Sequence, residues 1–386
     1  MDATETVGAR IARYRKLRGM TQEKLAAAAN VSRSMLAQVE RGHSSASTVW
    51  VGSVARGLGV DSSRLYGSEE AEQVLNVLPI LRRSLAAVDL ADPDLEPLPL
   101  DQLRALSGKV AVWRRDARYR KITEVLPDLI DQLLIAGEHG QPVYGMLCAA
   151  FRAANTVAHK SGFTDLSLTA TERMEWAATR SGDPLLLATT HYVKSATLAR
   201  VGASGQALRL LLRAMSEMEA FVDEDETAAA VYSLLHMRAG TIAAAAGDAD
   251  AARSHLAEAE VLARRFGDRI VYDSPVGPAN VKLYQVCAEV DLGEPGRARE
   301  IAAATHLPDE MPAERKAYFW VDAARAHLLA GDVDAAVDAL AESRLASPEH
   351  FRSSPAVKNV IRTTAQQQRV AGHGLRALAN AAGIQD

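Results

Sequence analysis

Five residues between positions 32 and 38 are the ones whose types and spacing suggest chemistry. Ser32, Arg33, Ser34, Ala37 and Gln38 share the outward side of one short helical segment. A guanidinium fork at Arg33 matches O6 and N7 of guanine, and a carboxamide at Gln38 matches N6 and N7 of adenine, while short neighbours permit close approach. Base reading also needs groups that grip the phosphates and set the register. Gln22, at the start of the preceding helix, and Arg41, His43 and Ser45, in the loop after the segment, are the candidates. The chemistry is hydrogen bonding to duplex DNA, not bond making.

Motifs for bond making are missing. The chain has no phosphate-cradling glycine loop with its lysine, no His-Glu-x-x-His, no Gly-x-Ser-x-Gly and no dinucleotide fingerprint after a strand. Its ten histidines are scattered, His139 and His159 among them, with no i, i+4 pair beside a carboxylate. Neither a metal, a cofactor nor an enzymatic activity is expected. The two cysteines, Cys148 and Cys287, stand far apart in apolar helical surroundings, so they read as small buried hydrophobes, not as a disulfide or zinc pair.

Short helices must position the candidate residues. A first helix over about residues 8–18 turns Ile11 and Tyr14 inward and stops at Gly19. Thr21 caps a second helix, Ser32 caps the third, and Ser47 begins a fourth that carries Val51, Val54 and Leu58. Gly59-Val60-Asp61 leads to a last turn through Leu65. The pattern Thr21-Gln22-x-x-Leu25-Ala26, Val31-Ser32, Val39-Glu40-Arg41-Gly42, Leu58-Gly59-Val60 resembles the Cro/C1-type (XRE) helix-turn-helix domains of phage repressors and bacterial regulators. The resemblance covers about 60 residues and implies a five-helix domain in which Gln22 clamps a phosphate. It also implies a bacterial, cytoplasmic transcription regulator acting on a double-stranded operator, and a homodimer is expected because so small a head reads few base pairs. Two features depart from the pattern: Val49 and Trp50 open the fourth helix, and Gly52 and Gly57 weaken it by about 1 kcal/mol each. An exposed Trp50 would suit a second subunit or the rest of the chain, whereas a buried one would cover the head's own core.

Charge separates this head from the remainder of the chain. The 386-residue protein carries a net −4, which argues against a protein wrapped in nucleic acid, yet residues 1–67 carry +5 and the other residues −9. Abundant alanine and scarce aromatics favour an all-α class. No signal peptide and no uncharged apolar run of membrane-spanning length can be read, so a soluble protein without membrane contact is expected. A helix over 69–89, interrupted by Pro79, and a proline-rich elbow at 92–99 separate the head, residues 1–67, from a body, residues 101–386.

The body reads as an α-solenoid. Glycines that end apolar helices are followed five residues later by alanine: Gly202/Ala207, Gly247/Ala252, Gly293/Ala298 and Gly331/Ala336. Bulky Leu211, Leu256 and Leu340 come four residues further, with Ala302 the exception. The last unit, with Trp320, Ala324, Gly331, Ala336, Leu340 and Pro348, resembles tetratricopeptide repeats, while residues 101–184 join the array only by continuity. Such stacks bind a peptide, a protein segment or a small ligand on their concave side. Thr189, Tyr192, Met237, Thr241, Asn280, Leu283, Tyr318 and Arg325 fall on that side, and a break in the helical rhythm at 268–278 adds Asp273 and Ser274. The leading expectation is thus a DNA-binding regulator with an effector-sensing body. The alternative is an interaction scaffold whose head binds protein.

Overall fold

The structure, a computed structural model, describes residues 5–66, 78–88, 95–96, 98–368 and 372–384. The expected helix from residue 69 and the elbow at 92–99 fall partly outside them, and Pro79 is the second residue of the helix that is described there. The described residues form 21 α-helices and one two-stranded hairpin, an all-α protein with a single β element.

The head consists of α1 (Val7–Leu17), α2 (Gln22–Ala29), α3 (Arg33–Glu40), α4 (Thr48–Leu58) and α5 (Ser63–Tyr66). Side-chain caps start its helices. Thr21 Oγ1 accepts from Lys24 N at 3.2 Å, Ser32 Oγ from Met35 N at 3.4 Å and Ser47 Oγ from Trp50 N at 3.2 Å. Each cap satisfies an amide with no partner inside its helix, worth about 1 kcal/mol. Ile11, Leu25, Leu36, Val54 and Leu58 close the core between them.

The body begins with α6 (Leu78–Ala86), α7 (Leu100–Arg115) and α8 (Tyr119–Ile135). Helix pairs come next: α9 (Gln141–Lys160) with α10 (Thr164–Ser181), α11 (Pro184–Arg200) with α12 (Ser204–Met218), and α13 (Glu226–Ala245) with α14 (Ala249–Phe266). Two more are α15 (Pro278–Leu292) with α16 (Pro295–Ala303) and α17 (Ala313–Leu329) with α18 (Val333–Ala346). The last helices are α19 (Pro348–Ser353), α20 (Pro355–Gln367) and α21 (His373–Ala381).

All four turn glycines named from the sequence are left-handed, at φ 83° for Gly202, 81° for Gly247, 84° for Gly293 and 81° for Gly331. The alanines five residues on are fully buried where the paired helices cross. Gly162, at φ 82°, makes a fifth such turn between α9 and α10. There Ser167 and Thr171 are buried at the positions that alanine and leucine occupy elsewhere, which is why the sequence pattern fades before residue 185. The break at 268–278 is a hairpin, β1 (Arg269–Val271) antiparallel to β2 (Ser274–Val276). Its two turn residues, Tyr272 and Asp273, both have positive φ, the tight turn that suits the strands' twist.

The array curls until its first and last parts meet. Tyr119 Oη of α8 donates to Glu314 Oε1 of α17 at 2.9 Å and lies 3.2 Å from His350 Nδ1 of α19. The head is held inside this curl. A Cβ at Gly52 of α4 would lie 2.3 Å from the carbonyl oxygen of Arg200, and one at Gly202 would lie 2.6 Å from Cβ of Arg56. Gly57 meets Ala29 of α2 in the same way, with a built Cβ 2.9 Å from the alanine Cβ. The glycines that weaken α4 in isolation therefore permit its two contacts. Trp50 is fully buried, so it is not presented to a second subunit.

Candidate nucleic-acid interface and the cavity of the body

The outward side of α3 is held in place by a network behind it. Arg15 grips Glu40 with two hydrogen bonds, Nε to Oε1 at 2.6 Å and Nη2 to Oε2 at 2.7 Å, and Gln22 Nε2 donates to Glu40 Oε2 at 2.8 Å. These bonds tie α1, α2 and α3 together. Arg33 is 65% exposed, with Glu23 3.5 Å away, and Ser34 is also exposed. Ala37 and Gln38 are half-buried, and the Gln38 carboxamide oxygen lies 3.1 Å from Nδ1 of the exposed His43. Ser32 is half-buried too, because the α13–α14 turn comes close: a Cβ at Gly247 would lie 3.6 Å from the Ser32 nitrogen. Arg41 is exposed, and Gln22 is half-buried with its amide oxygen side unspent by the Glu40 bond.

Ser45 is placed differently from the sequence expectation. It is 1% exposed, its Oγ accepts from Asn359 Nδ2 at 2.7 Å and its carbonyl accepts from Arg325 Nε at 3.0 Å. Buried against the body, its hydroxyl cannot reach a phosphate in this arrangement; it is an anchor. Its neighbours anchor the head as well. Asn359 Oδ1 accepts from Val7 N, Gln367 Nε2 donates to the Gly42 carbonyl, and Ser47 Oγ donates to Asp291 Oδ2. Asp291 and Asp322 in turn hold Arg325, whose charge they fix firmly in place.

Beneath these anchors lies a cavity of about 230 Å³, bounded by the first turn of α4 and by the inner helices of the body. Tyr192 Oη and Tyr284 Oη meet there at 2.5 Å. Arg238 lies 4.7 Å from the Tyr192 ring centre and donates to Tyr284 Oη at 3.3 Å, and Arg315 lies 3.5 Å from Tyr192 Oη. Arg152 donates to Ser274 Oγ and the Tyr272 carbonyl, and Arg200 to Thr197 Oγ1. None of these four guanidinium groups forms an ion pair with a carboxylate among the described residues. Burial, with Arg238 adding, pulls Arg200 down to about 9; burial, with Arg114 adding, pulls Arg152 down to about 10. Burial and the nearby cations likewise hold His159, which faces the cavity, well below its usual range. Burial pushes the Tyr192 phenol up, but Arg238 and Arg315 more than offset it and bring it to about 7.

Of the concave-side residues named from the sequence, Tyr192, Thr241, Leu283, Tyr318 and Arg325 line this cavity. Thr189 and Met237 are packed in the core instead. Asp273, Ser274 and Asn280 belong to the hairpin's fastening: Asp273 pairs with Arg114 and Arg115, Ser274 accepts from Arg152, and Asn280 Nδ2 donates to the Pro275 carbonyl. The arginines went unrecognised in the sequence, although a signal existed. Arg152, Tyr192, Arg238 and Tyr284 each stand nine or ten residues before a turn glycine. Among the described residues no group of side chains is arranged to hold a metal ion, and no helix is long and apolar enough to cross a membrane.

Fold and exposed helix together define the head as a helix-turn-helix module joined to an all-helical body. The helix-turn-helix family model matches residues 11–65. Over 64 residues, 17% of this chain, the sequence is 45% identical to the immunity repressor protein of Bacillus phage phi105. The matched segment spans 44% of that protein, so the chain covers less than half the length of this relative. No solved structure matches the chain.

Proposed function

We propose that this protein is a sequence-specific DNA-binding transcription regulator, with a head over residues 1–67, a connecting segment over 68–100 and a tetratricopeptide-like body over 101–386 that senses an effector. The observation that carries the reading is the helix-turn-helix match at residues 11–65 together with the exposure of Arg33 and Ser34 at the base-reading end of α3. In this reading Arg33 and Gln38, with Ser32, Ser34 and Ala37 around them, address base edges, while Gln22, Arg41 and His43 grip the backbone. One head reads few base pairs, so two copies acting on paired half-sites combine modest affinities into a specific one. The protein performs no bond-making step, and its control lies in how the body holds the head.

Selection of fragments bound by the full chain from random duplex DNA tests the reading. A recurring, two-fold motif whose binding weakens steeply with salt is expected. Arg33→Ala or Gln38→Ala should then relax the preference at one position and cost about 1–3 kcal/mol. The buried anchoring of Ser45 and the approach of Gly247 to Ser32 favour a second reading, a scaffold whose head serves as a protein-binding fold. Complete absence of duplex binding at low salt would select the scaffold.

A further inference from the structure

We propose that the cavity between head and body is a binding site for a small, multiply charged anion, an organic phosphate or polycarboxylate, that bridges α4 to the inner helices of the body. The inference deepens the proposed sensing role and rests on it only for its consequence, not for the binding itself.

Four guanidinium groups, those of Arg152, Arg200, Arg238 and Arg315, approach one half-open cavity, and none of them is in an ion pair with a carboxylate among the described residues. Arginine stays charged at neutral pH, so the fold gathers like charges in a partly desolvated place, with Arg152 buried and the other three half-buried, an arrangement that something negative would complete. Carboxylates are present nearby but are already engaged: Glu314 with Lys160, Asp291 and Asp322 with Arg325, and Asp273 with Arg114. Nε of Arg238 is buried without any hydrogen-bond partner. The Tyr192 phenol, brought to about 7 by these cations, supplies at most one negative charge against the four.

Shape and access fit the same ligand. The tyrosine rings beside Arg238 and Arg315 provide flat apolar walls next to the cations, suited to a compact organic anion. Thr48, His159, Lys160, Arg200 and Tyr318 are shared with a second cavity of about 550 Å³ that runs past α5, so a path leads in from the head's side. Ser47, Thr48 and Val49, the first turn of α4, form one wall. The amide end of that helix favours negative charge, and an anion seated there touches both head and body at once.

The test is thermal unfolding of the full chain in phosphate-free buffer, without DNA, with pyrophosphate or citrate added against sodium chloride of equal ionic strength. A rise of about 3 °C or more with at least one of the two is expected, and which one identifies the phosphate or the carboxylate source. Arg238→Met and Arg315→Met should abolish the rise and, by removing unmatched charge, leave the unliganded chain as stable or more so. Arg33→Ala and Arg41→Ala, on the outer face, should keep it. In the wild-type chain the same anion should shift the phenolate absorbance titration upward, because it competes with ionised Tyr192 for the same cations, and Tyr192→Phe should remove that transition. No rise beyond chloride, a rise that survives in both methionine variants, or an unmoved phenolate transition overturns the proposal. A chain that binds pyrophosphate or citrate but no duplex loses the regulator reading alone, and one that binds duplex but neither anion loses this inference alone.

Discussion

At the scale of the residue, two side chains with similar sequence credentials have opposite fates. Arg41 and Ser45 both come after α3 in a polar loop, yet Arg41 points to solvent whereas Ser45 is fixed between Asn359 and Arg325. Arg41→Ala should therefore reduce the salt dependence of duplex binding by about one phosphate contact. Ser45→Ala should leave that slope unchanged and instead lower the urea midpoint, since it strands the Asn359 amide at a cost of about 1–3 kcal/mol. Equal slopes for the two variants would return Ser45 to the DNA face. Glu40 belongs to the same scale. It contacts no nucleic acid in this scheme, but by holding Arg15 and Gln22 it sets the pitch of α3 against α2.

At the scale of the element, α4 is the part that depends most on its surroundings. It contains two glycines and three consecutive bulky residues, a weak helix by propensity, and is stabilised because one side meets α2 and another meets the end of α11. Gly52→Ala would drive a methyl group into the Arg200 carbonyl and should cost about 1–3 kcal/mol through forced separation of the two helices. Gly145→Ala is the matching control. It lies within α9 with open space around it, so it should raise stability by about 0.5–1 kcal/mol, both values read from urea unfolding. The hairpin after α14 works on this scale too: its turn receives Arg114, Arg115 and Arg152, and so steadies the side of the cavity from which Arg152 extends.

At the scale of the whole molecule, the meeting of the two ends of the helical array is what bounds the cavity on one side. The clasp is Glu314, which accepts from Tyr119 and pairs with Lys160 at 3.2 Å. Burial pushes its carboxyl up, but Lys160, with His350 and Arg315 adding, overcomes this and holds it at about 2. Since this lies below the ordinary value of 4.5 for the unfolded chain, the carboxylate's contribution is full above pH 4.5 and fades as pH falls toward 2, while at the alkaline end burial, only partly offset by Glu314, brings Lys160 down to about 8, so the pair is lost above that pH. Chemical unfolding of the wild-type chain should show stability declining through that acid window. Glu314→Gln should be less stable by about 3–5 kcal/mol near neutrality, because Lys160 is left without its partner, and should lose much of the acid dependence. A parallel decline in both proteins would assign the acid sensitivity to other carboxylates. The exposed Asp248, whose carboxylate accepts from Ala251 N at the start of α14, comes directly after the Gly247 turn that abuts Ser32 at the start of α3.

The chain alone determined the helices of the head and the helix pairing beyond about residue 185, because caps, left-handed turns and close helix crossings are local steric needs that leave local marks: Thr21, Ser32 and Ser47 at helix starts, Gly202 to Gly331 at the turns, alanines where helices cross. It also marked the outward residues of α3, whose spacing is that of one helical face. Only the tertiary arrangement decided that Ser45 is buried by the body and that Trp50 is buried, that Gly52 is a contact and not a defect, and that Arg152, Arg200, Arg238 and Arg315 share one space. These facts depend on how far the array curls, and curl accumulates from small rotations at every helix crossing, none of which is written at a single position.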